Sequence, residues 1–360
     1  MISLPPYDLE RIEKRFDAWL QGAIFDRPPV TCLPVWRTPC GPLPEKKHAS
    51  PLERALDAEF HVARFEKIVP CLEYSADTVP TFVPTIGIGQ VAAVLGGKIE
   101  LNEHSCWAVH SLPNVRDVIG RVADLNHPVQ TALRTMTKLS LAASRGRWLT
   151  GVGFGCNSPD VLVDLRGPQE LCFDLMDDPE GVRLACAHID SQLPAIYNDL
   201  RRPIAEAGQP TAINGEGVIW NGEITRLEGD FLCMVSKATA EEVFYPLSKK
   251  RIRAFERCYW HADGPGWLTH LDFLLQDEQL GAIQWVYGTG NGPASKWIDV
   301  YRKIQAAGKG IELMPESVED ALAVMKHLKP EGVWFKFWRP MTTAESNQFI
   351  AETLKPSNWA

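Results

Sequence analysis

The sequence predicts an α/β fold of the (β/α)8 TIM-type barrel class, one domain over residues 1–360 with an elaborated N-terminal part. Three observations lead there. Eight short apolar runs, rich in β-branched and aromatic residues, recur along the chain. Helical patterns separate them, and strands that are continuously apolar between helices belong to a parallel sheet covered on both faces. Eight such units imply closure into a barrel. The alternative doubly wound sheet lacks its glycine fingerprint. Gly151-Val152-Gly153-Phe154-Gly155 follows a strand with the wrong spacing for it, and for a phosphate loop.

Taken in order, residues 9–21 read as a helix with apolar positions 12, 16, 19 and 20, stopped at Gly22. Asp26-Arg27-Pro28-Pro29 breaks the chain before a first strand at 30–35. Residues 37–51, rich in Pro, Gly, Lys and His, read as a long surface loop or lid. A helix over 51–70 and a strand over 78–83 follow. From there helices at 115–122, 128–145, 167–175, 179–206, 239–257, 268–275, 295–307 and 317–327 alternate with strands. The strands are 148–154, 211–219, 257–261, 282–286, 310–314 and 332–338. No internal repeat and no dividing linker interrupts this order.

Lys and Arg number 37 against 45 Asp and Glu, for a net charge of −8. That balance argues against nucleic acid or an anionic membrane as partner, since both require clustered cations. No apolar stretch reaches the length of a membrane span, and the N-terminus carries no signal-type core, so a cytoplasmic protein is expected. The nine cysteines are scattered without a Cys-x-x-Cys pair, which fits reduced thiols. Twelve tryptophans are many for this length. Core packing takes some, and an apolar pocket closed over a ligand would take others.

In a barrel of this kind the site forms where strands end. His261 and Asp263 stand two apart at such an end, so their side chains share a direction, and Gly264-Pro265-Gly266 leaves room beside them. They fit half a metal site, or a base with its orienting partner. Glu216, in Asn214-Gly215-Glu216-Gly217, fits a general base or a metal ligand. Glu312 is a carboxylate in a buried strand and a candidate third metal ligand. Asp230 reads as a helix N-cap. Lys336, between Phe335 and Phe337, either binds an anion at the mouth or snorkels outward. Arg37 and the aromatics Trp36, Phe82, Phe154, Trp220, Trp285 and Trp338 are the expected substrate-binding lining.

Three segments carry a resemblance: Asp230-Phe231-Leu232-Cys233-Met234-Val235-Ser236, His261-Ala262-Asp263-Gly264-Pro265-Gly266 with His270-Leu271-Asp272, and Ile283-Gln284-Trp285. In these the chain resembles the uroporphyrinogen decarboxylase-like superfamily, most strongly over residues 145–340. That superfamily includes the decarboxylase and zinc-dependent, corrinoid-linked methyltransferases, all on (β/α)8 barrels. The resemblance implies a homodimer. Val35-Trp36-Arg37-Thr38-Pro39 stands where the decarboxylase has its arginine signature, and Asp263 stands where the methyltransferases have a zinc-binding cysteine. A His/carboxylate site still suits zinc or another divalent ion.

Two functions compete at this level. One is a methyltransferase passing a methyl group from a small methoxylated or methylated compound to a corrinoid protein or other acceptor. The other is a decarboxylase in which Lys336 and Arg37 bind carboxylates while His261 and Asp263 manage the proton. The missing arginine signature favours the first.

Overall fold

The computed structural model describes residues 6–102, 106–153, 157–213 and 217–360. Its centre is a curled sheet of six parallel strands: β1 (Val30–Leu33), β2 (Ile224–Leu227), β3 (Arg257–Asp263), β4 (Ala282–Val286), β5 (Gly310–Leu313) and β6 (Val333–Pro340). Their spatial order is β1-β6-β5-β4-β3-β2. The order is sequential from β2 to β6 and returns to β1, as in a barrel wall. A parallel pair, Thr81–Phe82 beside Leu149–Thr150, and a parallel bridge from Val152 to Ile213 carry the curl further. Among the described residues these pieces are not joined to the six strands as one closed ladder. The fold is thus α/β with a half-barrel of six strands, TIM-like in plan.

The run read as one strand over 211–219 is an antiparallel pair instead, Thr211–Ala212 against Ile219–Trp220. The next strand of the parallel sheet is β2, whose Ile-Thr-Arg-Leu alternation is short enough to be taken for a loop. The expected helix over 51–70 is two, Pro51–Leu56 and Ala58–Ile68, because Asp57 ends the first and caps the second through Phe60 N at 3.0 Å.

Helix α1 (Leu9–Leu20) seals the end of the sheet where strands begin. Asp8 accepts from Arg11 N at 3.1 Å and starts the helix, and its buried face is Leu9, Ile12, Phe16, Trp19 and Leu20. Trp19 packs edge-on against Tyr259 and Trp334, with ring centres 5.4 and 5.0 Å away. Gly310 permits this approach, since a Cβ there would lie 2.3 Å from the Trp19 carbonyl oxygen. Asp77 sits at the same end, fully buried. It accepts from Arg15 and Arg27, each at 2.6 Å, and from Val30 N at 2.8 Å. It ties helix, first strand and preceding loop together.

Trp19, Trp148, Trp260, Trp267, Trp285 and Trp334 are among the largest fully buried side chains. Half of the twelve tryptophans therefore go into core packing. No helix of the described residues is long and apolar enough to cross a membrane.

Candidate functional site

A cavity of about 660 Å³ opens where β2 and β3 end. Arg226 and Glu228 reach it from the end of β2, and His261 from β3. The helix α2 (Ser158–Arg166) contributes Asp160 and Asp164, and the segment Thr85–Val91 forms part of the facing wall. A 3-10 turn, Asp230–Met234, closes one side. Its N-terminus is not capped by Asp230, as the sequence suggested. Asp160 does that work from α2, accepting from Asp230 N at 3.2 Å and Phe231 N at 3.0 Å. Gly229 lets the turn come this close, since a Cβ there would lie 2.8 Å from Asn157 Nδ2.

One atom from each of Asp230, His261 and Asp263 lies within 4.8 Å of the others, and His261 Nε2 stands 3.8 Å from Asp263 Oδ2. A polar row runs sideways from His261 through the sheet. His261 Nδ1 meets Gln284 Oε1 on β4. Gln284 Nε2 donates to Glu312 Oε1 on β5 at 2.8 Å, and Lys336 Nζ on β6 pairs with that oxygen at 3.2 Å. Register explains the row: His261 lies beside Gln284 and Gln284 beside Glu312.

The row also assigns a proton. A carboxylate paired with a lysine only accepts, so Gln284 turns its NH2 to Glu312 and its carbonyl oxygen to His261. Nδ1 of His261 then carries a hydrogen, and Nε2 is turned towards Asp263. When the ring is neutral, it brings an acceptor towards the carboxylates of Asp230 and Asp263 at the edge of the cavity.

The cavity is acidic and partly withdrawn from water. Burial pushes Glu228 up to about 8, with Asp160 and Asp230 adding to the effect and Arg226, which donates at 2.9 Å, opposing it. Burial pushes Asp160 and Asp164 up to about 6. Asp230 is raised too, by its dense surroundings and then by Asp160, although its edge meets solvent through the cavity.

The sequence-derived candidates divide. His261 and Asp263 come together, joined by Asp230. Glu312 stands two strands from β3 and reaches His261 through Gln284. Lys336 faces Glu312, with its ammonium 4.4 Å from the ring centre of Trp338. Trp36, Arg37 and Trp338 are exposed at strand ends. Trp285 is fully buried beside Trp297, and Phe82 packs on Phe65. Trp220 lies at the opposite end, its Nε1 3.3 Å from Asp17. None of these aromatics lines the cavity beside His261, whose walls are largely carboxylates and small or aliphatic residues. The expected aromatic pocket is corrected on that point. Glu216 and Phe154 lie outside the described residues.

Sequence reasoning passed over Asp160, Asp164, Arg226 and Glu228. The first two had a legible signal: Asn157-Ser158-Pro159-Asp160 has the form of a helix start, followed by apolar 161, 162 and 165. Arg226 and Glu228 had only a four-residue strand to announce them.

Neither protein-family models nor curated proteins match the chain. Among solved structures, a methyltransferase from Methanosarcina mazei matches 95% of this chain and 97% of its own, with a TM-score of 0.61 and 11% sequence identity. At that identity the likeness shows the fold alone: this chain shares the α/β fold of that enzyme.

Proposed function

We propose that the chain is a methyltransferase whose Asp230, His261 and Asp263 hold a divalent cation, with zinc the favoured ion. The observation that carries this reading is the convergence of one imidazole and two carboxylates at strand ends, with an atom from each within 4.8 Å of the others. The donor set of one imidazole and two carboxylates suits zinc and other divalent ions of moderate hardness. A metal there would polarise the oxygen or nitrogen that releases the methyl group. The chain's own residues do the rest. Gln284, held by Glu312 and Lys336, keeps the His261 ring in one tautomer and one orientation. Arg226 holds Glu228 in place at the cavity wall.

The absence of the decarboxylase's arginine signature around Arg37 and the fold shared with the M. mazei enzyme both support methyl transfer. In this reading a corrinoid on a separate protein is the acceptor, and the enzyme is a homodimer. The decarboxylase reading gains no specific observation, because Lys336 faces Glu312 and neither it nor Arg37 lines the cavity.

The test pairs metal analysis with turnover. Purified protein should hold about one divalent ion per chain, and His261→Ala should lose it. A panel of methylated compounds with cob(I)alamin as acceptor should yield methylcobalamin with the wild type and none with His261→Ala. Metal-free wild-type protein with full turnover would sink the assignment.

A further inference from the structure

A second and larger cavity, about 970 Å³, adjoins the first, and the two share Thr85 and Gly87 in their walls. Its character is the opposite. The loop and helices from Pro44 to Arg64 bring Lys46, Lys47, Arg54 and Arg64 to its surface, against Glu45. Some of this charge is used internally, since Lys46 pairs with Asp57 and His48 Nε2 lies 3.0 Å from the same carboxylate. His61 sits against the Arg54 carbonyl oxygen at 2.9 Å, and burial lowers its basicity, which keeps it neutral at pH 7.

Lys47, Arg54 and Arg64 have no carboxylate partner among the described residues. The two guanidinium groups converge on one ring, 5.7 and 5.3 Å from the centre of the buried Phe60. Arg64 is further fixed by its hydrogen bond to the Pro44 carbonyl oxygen at 3.2 Å. Two planar cations beside one aromatic ring, with a lysine nearby and Glu45 the one carboxylate among the described lining residues, leave the groove with a surplus of positive charge suited to an oxyanion.

We propose that this basic groove is a subsite for the carboxylate or phosphate end of an elongated substrate whose other end enters the acidic cavity at His261. The direction of the ligand rests on the function proposed above; anion binding by the groove does not. The opposed charges of the two chambers set that direction, because the carboxylates of the first repel an anionic group that the second attracts.

The experiment titrates the full-length protein at pH 7 with inorganic phosphate and, separately, with succinate, followed by calorimetry. Saturable binding of phosphate identifies a phosphate-bearing class, and saturable binding of succinate a carboxylate-bearing one. Arg54→Gln/Arg64→Gln should weaken either by about tenfold or more, the equivalent of about 1.4 kcal/mol. Should that double variant fail to fold, the exposed Arg54→Gln alone suffices. His261→Ala should leave anion binding unchanged, which separates this site from the metal cluster. The proposal is overturned if neither anion binds saturably, if the arginine changes leave binding intact, or if His261→Ala abolishes it.

Discussion

His261 owes its readiness to groups it does not share a strand with. The row Gln284–Glu312–Lys336 fixes the orientation of the ring and the hydrogen on Nδ1, so Gln284 should matter nearly as much as the ligands. Gln284→Leu removes the acceptor for the Nδ1 hydrogen. It should weaken metal affinity by about 10- to 100-fold, the usual penalty for losing such an outer partner. Competition with a chromogenic chelator measures this, and unaltered affinity would show that the ring is oriented by something else. Glu312→Gln acts differently. It removes the carboxylate charge that faces the buried Lys336 and should cost about 1–3 kcal/mol in chemical denaturation. Asp263→Asn, at a half-exposed position, should abolish turnover while the melting temperature moves by only a few degrees.

At the scale of elements, α2 and the turn Asp230–Met234 are one unit joined by Asp160. Asp160→Ala strips the two amide donors of Asp230 and Phe231 of their partner. A lost bond of this kind costs about 1–3 kcal/mol. Hydrogen exchange at residues 230 and 231 should accelerate in this variant, whereas amides of β3 to β6 should keep their protection. Protection unchanged at the turn would mean that the chain itself, not Asp160, holds it.

Over the whole molecule the carboxylates pull stability in two directions with pH. Burial alone would raise Asp26, but hydrogen bonds from Arg15 and Arg11 bring it down to about 2. Its stabilisation is complete above the ordinary value of 3.8 and disappears as pH falls through 2. Asp164 runs the other way. Burial raises it to about 6, so the folded state binds its proton more tightly than the unfolded chain, and stability declines as pH rises from about 4 to 6. The metal-free protein should therefore be most stable in mildly acidic solution. Asp164→Asn should remove part of the decline, gaining about 1–2 kcal/mol at pH 7 after allowance for its partial exposure, and nothing at pH 4. Urea unfolding at both pH values decides this, and an equal gain at both would refute the assignment.

The sequence by itself determined the parts whose cause is local. Apolar period marked α1, and short β-branched runs marked β1 and β3 to β6 within a few residues. His261 and Asp263 were legible as a pair because two residues apart on a strand share a face whatever surrounds them. Tertiary structure decided what depends on neighbours distant in the chain. Register across three strands lined up His261, Gln284 and Glu312, and Lys336 reaches Glu312 from two residues beyond its register partner Trp334, relations that no spacing along the chain encodes. Asp230 joined His261 because Asp160, 70 residues earlier, holds its turn in place. The aromatics were misjudged for the same reason. Ring size and apolarity suit a core as well as a pocket, and only packing against Trp297, Phe65 or the underside of the sheet chose between them.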